Sequence, residues 1–181
     1  MSAPAAVPVW EDVDVNRFQQ EILPLNRPAV LRGLVADWPA VAAGTKSPAA
    51  MSDYLLRFDA GRPVRTLAAD AACKGRFFYR EDMRGVNFER RLAPLAIALD
   101  ALVKSLDDEQ APAIYVESAP IPEHLPGFVQ ENMQPLLPAT VPPRIWIGNA
   151  ITVQTHFDLN ENIACVVAGR RRFTLFPPEQ L

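Results

Sequence analysis

The chain has 181 residues, one domain's worth, and can bury a core without disulfide or metal staples. Hydrophobic residues make up 49%, charged residues 22%, and the net charge is −3. These values argue against disorder, a coiled coil and an electrostatic footprint for nucleic acid.

No apolar run reaches the roughly 18 residues of a membrane span. MSAPAAVPVW lacks the basic and apolar regions of a signal peptide. A cytoplasmic protein that meets no membrane is therefore the default expectation. Cys73 and Cys165 lie far apart and form no CxxC pair, so free thiols in a reducing compartment are expected. The 18 prolines are about twice the average usage and predict many short elements.

Residues 1–8 read as a flexible Ala/Pro tail, and 9–181 as a single domain. Asp14 is placed to cap a short helix with Val15, Phe18 and Ile22 on one face and Pro24 ending it. Pro28 to Gly33 reads as a strand that stops at glycine. Ser47-Pro48 is an N-cap followed by proline at the first helical position. Met51, Tyr54, Leu55 and Phe58 then follow helical spacing, with Gly61 as the closing residue.

Pro63 to Ala69 and Arg76 to Arg80 are expected to pair as strands around Lys74-Gly75. From Pro94 to Leu106, the residues Leu95, Ala98, Leu99, Leu102, Val103 and Leu106 form one apolar stripe, a helix packed on a sheet. Ala113 to Ser118 reads as a strand. Residues 119–143 are proline-rich and are expected to hold one short helix at most, near Phe128 to Met133. RIWIG, ITVQTHF, NIACVV and RRFTLF then read as four short strands, the start of an antiparallel sandwich or barrel.

His156 and Asp158 are the candidate metal ligands. In an extended chain, alternate side chains point the same way, so the two can face one point. An imidazole and a carboxylate so placed can hold a divalent metal, as in non-haem Fe(II) oxygenases. An isolated HxD reads more simply as a strand-end histidine beside a turn-forming aspartate.

The run RIWIGNAITVQTHFDLNENIACVVAGRRRFTLFPPEQL supplies the context. It resembles the JmjC-like cupin family, the group that includes the asparaginyl hydroxylase factor inhibiting hypoxia-inducible factor. The matching features are Gly148, His156, Asp158, Asn162, Gly169, Arg170 to Arg172 and Phe176-Pro177-Pro178. PAVLRGLVADWPA resembles the opening of such domains.

The resemblance implies a mainly β fold with flanking helices (α+β), the N-terminal part of a double-stranded β-helix (jelly-roll, cupin) barrel. It implies Fe(II), 2-oxoglutarate and O₂, and hydroxylation or demethylation of a protein side chain or small molecule. His156 and Asp158 match two iron ligands. Asn162 matches a polar residue near the 2-oxoglutarate and iron, and Tyr115 one that holds the co-substrate. Arg171 falls where many members place a lysine that pairs with the distal carboxylate. An arginine can make that pair, and bidentately. Arg170 to Arg172 read equally well as a solvated turn. Val153 stands where some members have a threonine, and strand parity does not obviously bring Thr152 or Thr155 into its place.

The family's third ligand is a later histidine. The only other histidine here, His124, reads as an exposed loop residue. Two of three ligands and about half a barrel are thus expected, with the C-terminal barrel strands missing. A truncated or fragmentary copy accounts for this better than a natural stop. Open strand edges would then invite self-association. The alternative is a non-catalytic cupin-like binding or interaction protein without a complete metal site. A hydrolase is disfavoured: no G-x-S-x-G is present, and Cys165 reads as a buried, inert thiol.

Overall fold

The computed structural model describes residues 6–177 and Glu179. Residues 1–5 of the expected tail, and Pro178 of the FPP turn, lie outside the described residues. Strand β1 (Val9–Glu11) pairs in parallel with β2 (Val30–Arg32), and the Pro8 carbonyl accepts from Val30 N at 2.9 Å. Between them Asp14 caps helix α1 (Val15–Arg17), its carboxylate accepting from Arg17 N at 2.7 Å. The helical path continues as a π turn (Phe18–Ile22) and a 3-10 turn (Leu23–Leu25). Pro24 does not end it. Pro24 sits in the first turn of the 3-10 segment, where no N–H is needed, and left-handed Asn26 closes it. Of the expected apolar face, only Ile22 is buried.

Trp38-Pro39 opens helix α2 (Pro39–Lys46), which has no apolar stripe to announce it in the sequence. Helix α3 (Pro48–Leu56) starts where the N-cap signal puts it, with Ser47 Oγ accepting from Ala50 N at 3.0 Å. Helix α3 ends before Gly61, which turns the chain beyond it at φ +70°. Helix α4 (Leu95–Lys104) buries Leu95, Ala98 and Leu99, while Leu106 falls past its end and is exposed.

The sheet is built from β3 (Val64–Ala69), β5 (Glu89–Ala93), β6 (Ala113–Pro120) and β7 (Arg144–Gly148), in the antiparallel order β5-β3-β6-β7. Its two central strands are buried on both faces. Val64 and Val116 join Ala40, Leu55, Leu95, Leu99 and Phe128 in the helical layer. Leu67, Ala69, Ala113 and Tyr115 point the other way, packing with Phe77. A bulge between Val116 and Ala119, with Ser118 at φ +50°, returns Ala119 to the helical side. Arg144 holds the bulge, donating to Ser118 Oγ and to the Ser118 carbonyl, each at 2.6 Å.

The expected pairing of Pro63–Ala69 with Arg76–Arg80 does not occur. Asp70 caps a 3-10 turn (Ala71–Cys73), left-handed Lys74 follows, and the chain leaves the sheet. Strand β4 (Arg76–Phe77) instead pairs in parallel with β8 (Thr152–Val153). Gly75 makes this crossing possible: its φ is +74°, and a Cβ there would collide with the Ala150 carbonyl. The partner taken by β3 is β5, a charged strand whose exposed Glu89, Arg90 and Arg91 blunt the sheet edge.

Residues 119–143 hold two short helices rather than one, α5 (Ile121–His124) and α6 (Phe128–Glu131). His124 is therefore a half-buried helix end, not an exposed loop residue, and its carbonyl accepts from Ala60 N at 2.9 Å. NIACVV and RRFTLF form no strand. In the first of these, burial still alternates, with Ile163, Cys165 and Val167 half-buried between exposed neighbours. The side chains have the pattern of a strand, but no strand among the described residues supplies the ladder. Cys73 and Cys165 are free thiols, as expected. Burial pushes the Cys165 thiol up, which suits an unreactive group. No helix among the described residues is long and apolar enough to cross a membrane.

One buried side chain ties the helical layer together. Asn132 Oδ1 accepts from Ala40 N at 3.0 Å, and Asn132 Nδ2 donates to Tyr54 Oη at 2.8 Å and to the Phe128 carbonyl at 2.9 Å. Tyr54 Oη also donates to Glu131 and the Phe128 carbonyl also accepts from the Asn132 backbone N, so Asn132→Ala strands only the buried Ala40 N–H, and a loss of about 1–3 kcal/mol in urea unfolding is expected. A loss under about 0.5 kcal/mol would show that water or local shifts satisfy it.

Candidate active site

The cupped side of the sheet forms a cleft of about 360 Å³. Strand β3 contributes Leu67, and β6 contributes Tyr115 and Glu117. Phe77 comes from β4, Tyr79 and Val86 from the hairpin that follows, and Phe88 and Arg90 from the approach to β5 and β5 itself. Val153, Gln154, Thr155 and His156 close the wall. The hairpin is pinned by Asn87, whose Oδ1 accepts from Phe78 N at 2.9 Å while its Nδ2 donates to the Arg76 carbonyl at 2.8 Å.

Tyr115 is 8% exposed, and its ring lies 6.2 Å from that of Phe77. Burial pushes its hydroxyl above the ordinary tyrosine range, Arg171 pulls it back down, and Glu117 adds a smaller upward push. The Arg171 guanidinium therefore acts on the phenol from across the chain. Glu117 is itself paired with Arg65 at 3.6 Å. Arg90 stacks over Phe88, 4.9 Å from the ring centroid.

His156 lies on the cleft wall, with Nδ1 2.8 Å from the Gln154 carbonyl. A carbonyl only accepts, so Nδ1 carries the proton in this bond, and in the neutral ring the lone pair is then on Nε2. That is the form a metal-binding imidazole takes, held by a backbone carbonyl behind it. Asp158 and Asn162 are exposed and do not line the cleft. They bond to each other: Asn162 Nδ2 donates to Asp158 Oδ2 at 3.1 Å and to the Asn160 carbonyl at 3.0 Å. Among the described residues, no three His, Cys, Asp or Glu side chains gather in a metal-binding group.

The structure thus gathers Tyr115 and His156 at one cleft, and leaves Arg171, Asp158 and Asn162 exposed outside its lining, with Arg171 close enough to act on the Tyr115 phenol by charge. Thr155 reaches the cleft on the same side as Val153, and Gln154 and His156 reach it as well because the ladder stops at Val153 and alternation lapses beyond it. Glu117 carried a readable signal, standing two residues after Tyr115 on the same strand face. Phe88 and Arg90 carried none, since their segment reads as polar and irregular.

The Arg171 effect on Tyr115 has a definite sign. A cation favours the phenolate, so Arg171→Ala should raise the Tyr115 pKa further. Ultraviolet difference titration against Tyr115→Phe isolates this group. An unmoved or lowered titration would show that Arg171 does not face the phenol.

Comparison with known proteins places this architecture. The description of the cupin-like domain matches residues 15–181. The human bifunctional peptidase and (3S)-lysyl hydroxylase JMJD7 is 26% identical over 193 residues, an alignment covering 98% of this chain and 56% of that protein. The chain thus spans about half the length of this curated relative. Its mixed helices, antiparallel sheet and partial barrel agree with the match, and the chain belongs to the cupin-like family, of the JmjC type.

Proposed function

We propose that this chain forms part of an Fe(II)- and 2-oxoglutarate-dependent oxygenase, of hydroxylase or demethylase type, and that its cleft takes the 2-oxoglutarate. The observation that carries this reading is that Tyr115 and His156 line one cleft. Tyr115 offers a hydroxyl donor and Arg171 a guanidinium to the distal carboxylate. Leu67, Phe77 and Phe88 wall the cleft with apolar surface, which strengthens those charge-assisted bonds by excluding water.

The donor types for iron fit as far as they go. His156 presents Nε2, and Asp158 a carboxylate whose orientation Asn162 fixes. When bound, Fe(II) with 2-oxoglutarate and O₂ supplies the oxidising chemistry, and the protein supplies binding and orientation. The substrate is a protein side chain or a small molecule. The name of the human relative, a (3S)-lysyl hydroxylase, favours a protein side chain.

A second reading, a non-catalytic cupin-like binding protein, is favoured by one observation: no third metal-ligating side chain joins His156 and Asp158 among the described residues. Anaerobic Fe(II) titration separates the two. Saturable one-to-one binding is expected, with His156→Ala weakening it about 100-fold and abolishing any iron-dependent consumption of 2-oxoglutarate. Turnover unchanged in that variant would sink the assignment, and no saturable binding by the parent chain would leave the binding-protein reading standing.

The exposed apolar side chains Phe157, Leu159, Val166, Phe173, Leu175 and Phe176, and the exposed Trp146 on edge strand β7, also support self-association. Sedimentation velocity should show mass rising with concentration. A single monomeric species throughout would refute it.

A further inference from the structure

We propose that the Gly148-Asn149 turn is the positioning element of the 2-oxoglutarate pocket: the bare Cα of residue 148 admits the Tyr115 ring, and the Asn149 side chain fixes the strand that carries it. This deepens the reading of the cleft given above and rests on it for the identity of the ligand.

Gly148 and Tyr115 are register partners across β6 and β7. Gly148 is not among the glycines with positive φ, so backbone freedom does not account for it. Space does. A Cβ at 148 would lie 2.9 Å from the Ile114 carbonyl oxygen and 3.0 Å from Tyr115 Cδ2. The first neighbour is ladder backbone and the second an aromatic ring that is almost fully buried, so neither gives way without moving the phenol.

Asn149 clamps the same strand from the other side of the turn. Its Oδ1 accepts from Ile114 N at 3.0 Å, and its Nδ2 donates to the Pro112 carbonyl at 2.9 Å. Its own backbone N donates to the Ile114 carbonyl at 3.3 Å. Three bonds from one residue therefore hold Pro112 and Ile114, immediately ahead of Tyr115. Beyond the turn the chain enters β8 and runs on to His156, so the turn also joins the two walls of the cleft.

The experiment uses the full chain, with 2-oxoglutarate binding read by calorimetry and the Tyr115 hydroxyl read by ultraviolet difference titration. Gly148→Ala should weaken 2-oxoglutarate about tenfold, the scale of one misplaced charge-assisted hydrogen bond. The double variant Gly148→Ala/Tyr115→Phe should bind no more weakly than Tyr115→Phe alone, because both lose the same contact. Tyr115 should titrate at a different pH in Gly148→Ala than in the parent chain. A merely structural glycine would lower the unfolding midpoint and leave both readouts in place.

Should Gly148→Ala fail to fold, Asn149→Ala gives the same test. Asn149→Asp is expected to recover part of the loss, since it keeps the acceptor for Ile114 N. A folded variant with unchanged affinity and an unchanged Tyr115 titration overturns the positioning role. A parent chain that binds no 2-oxoglutarate overturns the assignment of the ligand instead, and the tyrosine titration still decides whether the turn positions the phenol.

Discussion

Everything in this chain depends on a pair of strands buried on both faces. β3 and β6 run antiparallel with Thr66 opposite Val116 and Leu67 opposite Tyr115. Side chains alternate, so fixing one face fixes the other. Val64 and Val116 are claimed by the helical layer, and that claim leaves Leu67 and Tyr115 no direction except toward the cleft. A slip of one residue would put a phenol among Leu55, Leu95 and Leu99 and turn Val116 toward the cleft. The register of the sheet is therefore also the geometry of the site. Its cost is visible at Thr66, whose hydroxyl is buried on the helical side without a hydrogen-bond partner among the described residues.

What could be read from the sequence follows from how local each signal is. Ser47-Pro48, Asp14 and the stripe of Leu95, Ala98 and Leu99 each specify an element within a few residues, and each appears in the structure. Strand partners are not local. The nearest candidate for β3 in sequence is Arg76–Phe77, yet the turn at Asp70–Lys74 carries the chain away and a charged strand takes the place. That strand, Glu89–Ala93, was unreadable because an edge exposes its side chains and removes the apolar alternation. Helix α2 was unreadable for a related reason: its only fully buried residue is Ala40, tied down by Asn132 from far along the chain. NIACVV and RRFTLF carry the strand pattern in full. A strand also needs a neighbour's N–H and C=O groups, and β propensity cannot supply those.

The same limit governs the site. Tyr115 and His156 could be named from the resemblance, but their meeting is a product of the fold, one on a central strand and the other beyond the end of β8. The expectation that His156 and Asp158 face one point assumed a continuing strand. The ladder stops at Val153. His156 stays on the cleft wall through its bond to the Gln154 carbonyl, and Asp158 turns to Asn162. Convergence of the two on one metal requires the regular alternation that a paired strand would impose on Gln154 to Asp158.

The charges around Tyr115 give the cleft a polarity. Arg171, outside the lining, and Glu117, within it, act on the phenol with opposite sign, and Arg90 is the cation of the lining itself. Arg65 offsets part of the Glu117 charge, at 3.6 Å and largely exposed to water. An acidic ligand in this cleft gains most by turning a carboxylate toward Arg171 and away from Glu117, and the Tyr115 hydroxyl, raised by burial and so held neutral, remains able to donate to it. A phenolate in that position would repel the same carboxylate.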